Sequence, residues 1–227
     1  MYNDQGGIDL NKVVSVEQAI EKIQDGATIM IGGFGGNGAP HTVIDALVRK
    51  NIRDLTLICN DSGTKDFGAG RLFTNKQVKK VICSIIGPNP ESVKQHAEGT
   101  LEVELYPQGS LAEMIRAGGY GLGGVVTKAG LGTLVEEGKQ KITIKGEEYL
   151  VEEPLKAEFA LIYASVGDTA GNCRYYGSAH AHSPSMAAAA DYTIVEVGQL
   201  VELGELDPHD IDTQQVMVSA VVVKGGK

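Results

Sequence analysis

The residues best placed to do chemistry lie between Asp25 and Pro40. There an apolar run, Ala27 to Ile31, gives way to Gly32, Gly33, Phe34, Gly35, Gly36, Asn37 and Gly38, and a helix-compatible stretch follows Pro40. Glycines placed after a strand and before a helix leave backbone N–H groups uncovered, and the helix N-terminus adds positive potential. Such a loop can hold a phosphate or a carboxylate. A tight turn that merely packs would use the same residues, and a bare glycine pattern does not separate the two. No Gly-Lys-Ser/Thr follows, which excludes a Walker A loop. No Asp or Glu closes the next apolar strand, which ends at Cys59-Asn60, so a nicotinamide dinucleotide is not the expected ligand. Other reactive side chains are sparse. Cys59, Cys83 and Cys173 are odd in number, far apart and without CxxC spacing, which indicates neither a disulfide framework nor a zinc site. His180 and His182, with His209, form too weak a pattern for a metal centre, and no metal is expected.

The elements that must position this loop alternate in type. Ser15 followed by Gln18 has the form of a capping box, and Val16, Ala19, Ile20 and Ile23 recur at helical spacing, which predicts a first helix. Asp25-Gly26 then turns the chain into the Ala27–Ile31 run, short and apolar as in a strand covered on both faces. A second helix is predicted over His41–Lys50, with proline before it and basic residues at its end. Further strands are predicted at Leu55–Cys59, Val78–Ile86 and Leu101–Leu105. Ser110 with Glu113 marks another capping box, for a helix that stops at Gly118-Gly119. Lys141–Glu153 resembles a hairpin turning near Gly146, an antiparallel insertion. Phe159–Ala164, Tyr192–Val197 and Val216–Val223 supply more strands, and Ser183-Pro184 opens an alanine-rich helix. This order implies an α/β fold: a layered open sheet, mainly parallel, with a small antiparallel hairpin inserted.

Composition narrows the function classes. The 227 residues are 42% hydrophobic and 22% charged, ordinary for a folded globular chain, and they are read as one domain spanning residues 1–227. Glycine, at 30 residues, is nearly twice its usual share, so tight loops and close ligand contact are expected. A formal charge of -9 disfavours a nucleic-acid binder, since phosphate neutralisation needs clustered Lys and Arg. The opening residues MYNDQGGIDL lack an apolar signal core, and no run approaches the roughly 18 apolar residues of a membrane span, so a cytoplasmic location is expected.

Taken together, Asp-Gly, a short hydrophobic run, Gly-Gly-Phe, then Gly and Pro resemble the signature of the family I CoA-transferase alpha subunits. The resemblance extends through Asp54–Asp61, Ser84–Glu91, Leu101–Gly109, Arg116–Gly119, Gly130–Gly138 and Val195–Val197. It is strongest to the enzymes acting on acetate, butyrate and acetoacetate. It implies a sheet of the CoA-transferase/isomerase type and transfer of coenzyme A by a ping-pong mechanism through a glutamyl-CoA thioester. Each step develops an oxyanion, which calls for preorganised donors. The resemblance assigns one such donor to Gln108, puts Asn60 close to the reacting carboxylates, and makes Gly32, Gly33, Phe34, Gly35, Gly36, Gly38 and Gly109 the substrate- and CoA-binding residues. By themselves Gln108 is a polar loop residue and Asn60 a turn former.

The resemblance implies that the attacking glutamate belongs to a separate beta subunit, within a Ser-Glu-Asn-Gly string that this chain lacks, and that the two form an α2β2 heterotetramer. No cofactor is expected beyond the coenzyme A thioester, which is a substrate. Glu91, Glu113, Glu136 and Glu137 are carboxylates that surface or cap positions explain. Where relatives carry Ala-Arg-Asn-Phe-Asn-Pro, this chain has Ala179-His-Ala-His-Ser-Pro184, so substrate contacts or partner contacts differ there. A sugar-phosphate isomerase on the same scaffold and a non-catalytic assembly subunit are the competing readings.

Overall fold

A computed structural model describes residues 10–226; most of the segment read for a signal core, residues 1–9, lies outside them. Ser15 does cap the first helix, accepting from the Gln18 N–H while the Gln18 side chain accepts from the Ser15 N–H. That helix, α1 (Val16–Ala19), is a single turn, much shorter than its apolar spacing predicts. Ile20 and Ile23 are still buried. The reason lies in α2 (His41–Lys50): the Lys50 ammonium donates to the carbonyls of Ile20, Glu21 and Ile23 at 2.8–2.9 Å, capping oxygens that a longer helix would have bonded internally.

The remaining elements follow in order: β1 (Thr28–Ile31) before α2, then β2 (Leu55–Cys59), α3 (Gly70–Thr74), β3 (Val78–Cys83), α4 (Pro90–Ala97), β4 (Glu102–Leu105) and α5 (Gln108–Gly119). After them come β5 (Val125–Thr127), β6 (Lys141–Ile144), β7 (Glu147–Glu152), β8 (Ala157–Asp168), β9 (Cys173–Arg174), α6 (Ser183–Ala189), β10 (Ala190–Val201) and β11 (Ala220–Val223). The main sheet has the order β11-β10-β8-β1-β2-β3-β4, parallel throughout, with β9 antiparallel against β8. The layered, mainly parallel α/β architecture is thus as the sequence predicts. The predicted hairpin is present, turning at Lys145-Gly146, where both residues have positive φ as a type I′ turn requires. It is wider than predicted, because β5 pairs with β7 to make three strands.

Alternate residues of the central strands face opposite layers. Ile29, Ile31, Leu55, Leu57 and Val81 pack with Val43, Ile44, Leu47, Leu72 and Phe73 on one side. Met30, Ile58, Ile82, Ala160 and Ile162 pack with Leu111, Ile115 and Met186 on the other. Among the described residues, no helix is long and apolar enough to cross a membrane.

Several boundaries differ from expectation, and β8 and β10 each run past the predicted Phe159–Ala164 and Tyr192–Val197 at both ends. The predicted box at Ser110 does not form: the cap lies three residues earlier, at Pro107, and the Ser110 hydroxyl is buried without a partner among the described residues. Proline presets the backbone for helix entry, and Leu111 N–H already bonds the Pro107 carbonyl. Glu113 pairs instead with Arg116 at 2.7 Å. The strand predicted to reach Ile86 ends at Cys83, and beyond it a single parallel bridge between Asp61 and Ile85 continues the pairing with the end of β2. Residues 215–217 form a 3₁₀ turn, so the last strand begins only at Ala220.

The N-terminus of α2 holds a carboxylate, and it is the protein's own. Glu196 of β10, fully buried, accepts from the N–H groups of Thr42 at 2.7 Å and Val43 at 3.2 Å. This corrects the expectation that the helix end is free for a ligand. Burial raises the Glu196 pKa, against which the two N–H bonds pull downward. Glu196→Ala leaves both N–H groups unbonded and should destabilise the protein by about 1–3 kcal/mol. At about 2–4 °C per kcal/mol the loss is readable by thermal unfolding; an unchanged midpoint would show that Glu196 caps nothing of consequence.

Candidate active site

All the sheet's parallel strands end on one side, and β1 lies where the order of connection reverses: β2, β3 and β4 extend from it one way, β8, β10 and β11 the other. Crevices beyond the carboxyl ends at such a reversal are where open α/β sheets bind ligands. The glycine loop after β1, the Asn60-Asp61 turn after β2 and Gln108 after β4 all lie on this side.

Asn60 is 1% exposed, and its side chain is held from both ends. Its Nδ2 donates to Asp61 Oδ2 at 2.7 Å, and its Oδ1 accepts from Gln108 Nε2 at 2.6 Å. His182 Nε2 lies 3.2 Å from the same Oδ1. Asp61 in turn accepts from Gly35 N–H and Gly63 N–H, each at 2.8 Å. The amides that the sequence places 48 positions apart are therefore in direct contact. Gln108 is the first residue of α5, exposed at the crevice, so one of its two Nε2 protons binds Asn60 and the other is open. Gly109 follows it, exposed, with open space where a side chain would stand.

The glycine loop is a miniature hairpin. Phe34 and Asn37 exchange backbone hydrogen bonds of 2.9 Å, and Gly35 and Gly36 between them have φ of 58° and 86°. Gly32 N–H donates to Leu161 and Gly33 N–H to Ala181, while Gly35 N–H serves Asp61. The N–H groups of Gly36 and Gly38 have no hydrogen bond within the described residues. Close approach also fixes the sequence: a Cβ on Gly38 would stand 2.5 Å from Ala179 N. The loop is thus mostly a turn that packs, with Phe34, 53% exposed, at its tip.

Two residues of this constellation are not among the predicted site residues, although the segment holding His182 is read as one where substrate or partner contacts differ. Asp61 is part of the Asn-Asp turn, and adjacency to Asn60 is its only signal. His182 looks like half of a His-x-His pair, but the two side chains part: His180 lies 3.7 Å from Asp212 and against the Tyr175 ring, whereas His182 turns to Asn60. Burial lowers the His182 pKa, with Asp61 pulling weakly the other way.

Residues 13–224 match the Coenzyme A transferase family. The chain is 47% identical over 212 residues to the acetate CoA-transferase subunit alpha of Escherichia coli strain K12, covering 93% of this chain and 96% of that one. It is 49% identical over 212 residues to the acetoacetyl-CoA:acetate/butyrate CoA transferase alpha subunit of Clostridium acetobutylicum, covering 93% and 97%. Among solved structures, glutaconate coenzyme A-transferase from Acidaminococcus fermentans matches with a TM-score of 0.82 at 24% identity, over 93% of this chain and 75% of that one. An acyl-CoA transferase from Escherichia coli O157:H7 matches with a TM-score of 0.85 at 23% identity, over 96% of this chain but only 48% of its own. These two likenesses speak for the fold. The match along nearly the whole sequence, with relatives close to half identical over the same span, settles the ancestry: the chain belongs to the coenzyme A transferase family.

Proposed function

We propose that this chain is the alpha subunit of a cytoplasmic enzyme that moves coenzyme A between a short-chain acyl-CoA, such as acetyl-, butyryl- or acetoacetyl-CoA, and a free carboxylic acid. The attacking glutamate comes from a separate beta subunit, the pair assembling as α2β2, and no bound cofactor is needed. The names of the two close relatives support the substrate class. The O157:H7 acyl-CoA transferase, about twice as long as the region matched here, leaves room for a second half of the kind a beta subunit would supply.

The observation that carries the chemistry is the Gln108–Asn60–Asp61 chain at the carboxyl end of the sheet. A glutamate carboxylate adds to the thioester carbonyl, and the C–S bond breaks to give an acyl-glutamyl anhydride and a thiolate. The thiolate then attacks the glutamyl carbonyl, releasing the first acid and leaving a glutamyl-CoA thioester; a second acid reverses the sequence. Every addition puts negative charge on a former carbonyl oxygen. The open Nε2 proton of Gln108 is the donor we assign to that oxygen. Asn60 is a positioning residue: its oxygen holds Gln108 and its bonded N–H holds Asp61, so little of it is left to meet substrate. The N–H group of Gly38, the Phe34 ring and the open ground over Gly109 are the parts of the predicted binding set that remain to contact coenzyme A; Gly32, Gly33, Gly35 and the buried Gly36 shape the loop beneath them.

Co-purification with the partner subunit and supply of acetyl-CoA or acetoacetyl-CoA with butyrate should give the exchanged thioester, while this chain alone should give none. Exchange by the lone chain, or none from the assembled pair with any short acid, would sink the proposal. In the complex, Gln108→Ala should lower kcat by about 100-fold or more with an unchanged unfolding midpoint. A near-normal rate would remove its role. Asn60→Ala should lower kcat and also the unfolding midpoint, since Asp61 then loses a buried N–H partner; loss of stability alone would make Asn60 merely structural.

A further inference from the structure

The Asn60 carbonyl oxygen has two neighbours able to donate, and they arrive from different parts of the chain. Gln108 comes from the start of α5, His182 from the entry to α6. Because Asn60 Nδ2 is committed to the Asp61 carboxylate, the amide cannot flip, and Oδ1 must face both neighbours as an acceptor. His182 must then carry its proton on Nε2. Burial disfavours the imidazolium and lowers the pKa of the ring.

The backbone holds the ring in this place against its own preference. His182 has φ of 61°, in the left-handed region, which only a minority of non-glycine residues enter and which histidine tolerates better than most. The conformation is fixed by Met186 N–H donating to the His182 carbonyl at 2.8 Å and by Gly33 N–H donating to Ala181 at 3.4 Å, just before it. Close packing of Ser183 on Gly32 adds to this: a Cβ on Gly32 would stand 2.5 Å from Ser183 Oγ. Strained backbone retained where side chains converge on a crevice points to function.

We propose that His182 is a positioning residue for the transfer reaction: its Nε2–H clamps the same Asn60 oxygen that Gln108 binds and so helps to fix the direction of the open Gln108 proton. The proposal rests on the reading of Gln108 as the oxyanion donor. It assigns to the His-Ala-His segment a part in catalysis through Asn60, rather than metal binding or contact with the acyl chain.

The test uses the complex with the partner subunit, steady-state kinetics and a double-mutant cycle. Coupled neighbours interact by factors of about 2 to 150, and His182→Ala should lower kcat about tenfold with KM nearly unchanged, as expected when only transition-state binding is lost. His182→Gln, which returns an N–H at similar reach, should recover most of the rate. In a Gln108→Ala background, His182→Ala should cost no more than about twofold, because the two act through one oxygen. Should His182→Ala fail to assemble, His182→Leu fills the volume without the donor and carries the same expectation. Full activity in the variant lacking the donor, no recovery with Gln, or a loss that multiplies undiminished in the Gln108→Ala background would each overturn the role of His182. A normal rate for Gln108→Ala alone would overturn the donor assignment and this proposal with it, whereas a slow Gln108→Ala beside a fully active His182→Ala would remove His182 only.

Discussion

A carboxylate taken out of water must be hydrogen-bonded, and much of the crevice is organised around meeting that demand at Asp61. The group is 8% exposed and accepts three N–H bonds, from Asn60, Gly35 and Gly63. One of these ties it to the loop after β1, another to its own turn, and the third to an amide whose opposite end reaches α5 and the entry to α6. Four chain segments that are distant in sequence are thereby brought to one point by a single charge. The apolar layers put the strand ends near one another; the polar contacts fix their angles.

The same device recurs elsewhere in the fold. Glu196 fills the N-terminus of α2, and Asp168, 1% exposed, gathers the N–H groups of Ala170 and Asn172 together with the Asn172 amide. Part of the acidic excess is therefore internal, serving backbone donors where strands pass into loops and helices begin. Glycine is abundant for a related reason: loops that wrap a buried carboxylate need positive φ and close approach, as at Gly35 and Gly36.

The layered architecture was legible because apolar runs such as Leu55–Cys59 and the cap and basic end of His41–Lys50 state their element directly. α3 and α4 were not predicted, although Asn89-Pro90, an N-cap followed by proline, carries a local signal for the second of them. What pattern could not show were competitions settled at long range. Lys50 cuts α1 short from 27 residues away, and Pro107 overrides the apparent box at Ser110. In the site, the residue types at 60 and 108 come from family resemblance; their mutual contact, and the arrival of His182 from 122 positions away, exist only in three dimensions. The glycine loop looked like an anion cradle, but its neighbouring helix end had already been filled from β10, a partner that no local reading of residues 25–43 contains.

The directionality of the Asn60 cluster has a chemical consequence. Both neighbours give N–H to an amide oxygen, the amide gives N–H to a carboxylate, and the string ends there. Since an amide oxygen is a very weak base, no proton can hop along it. The cluster is therefore a scaffold of fixed dipoles and not a relay for acid–base work. That suits an exchange of one thioester for another between two carboxylates, a conversion that neither takes up nor releases hydrogen ions.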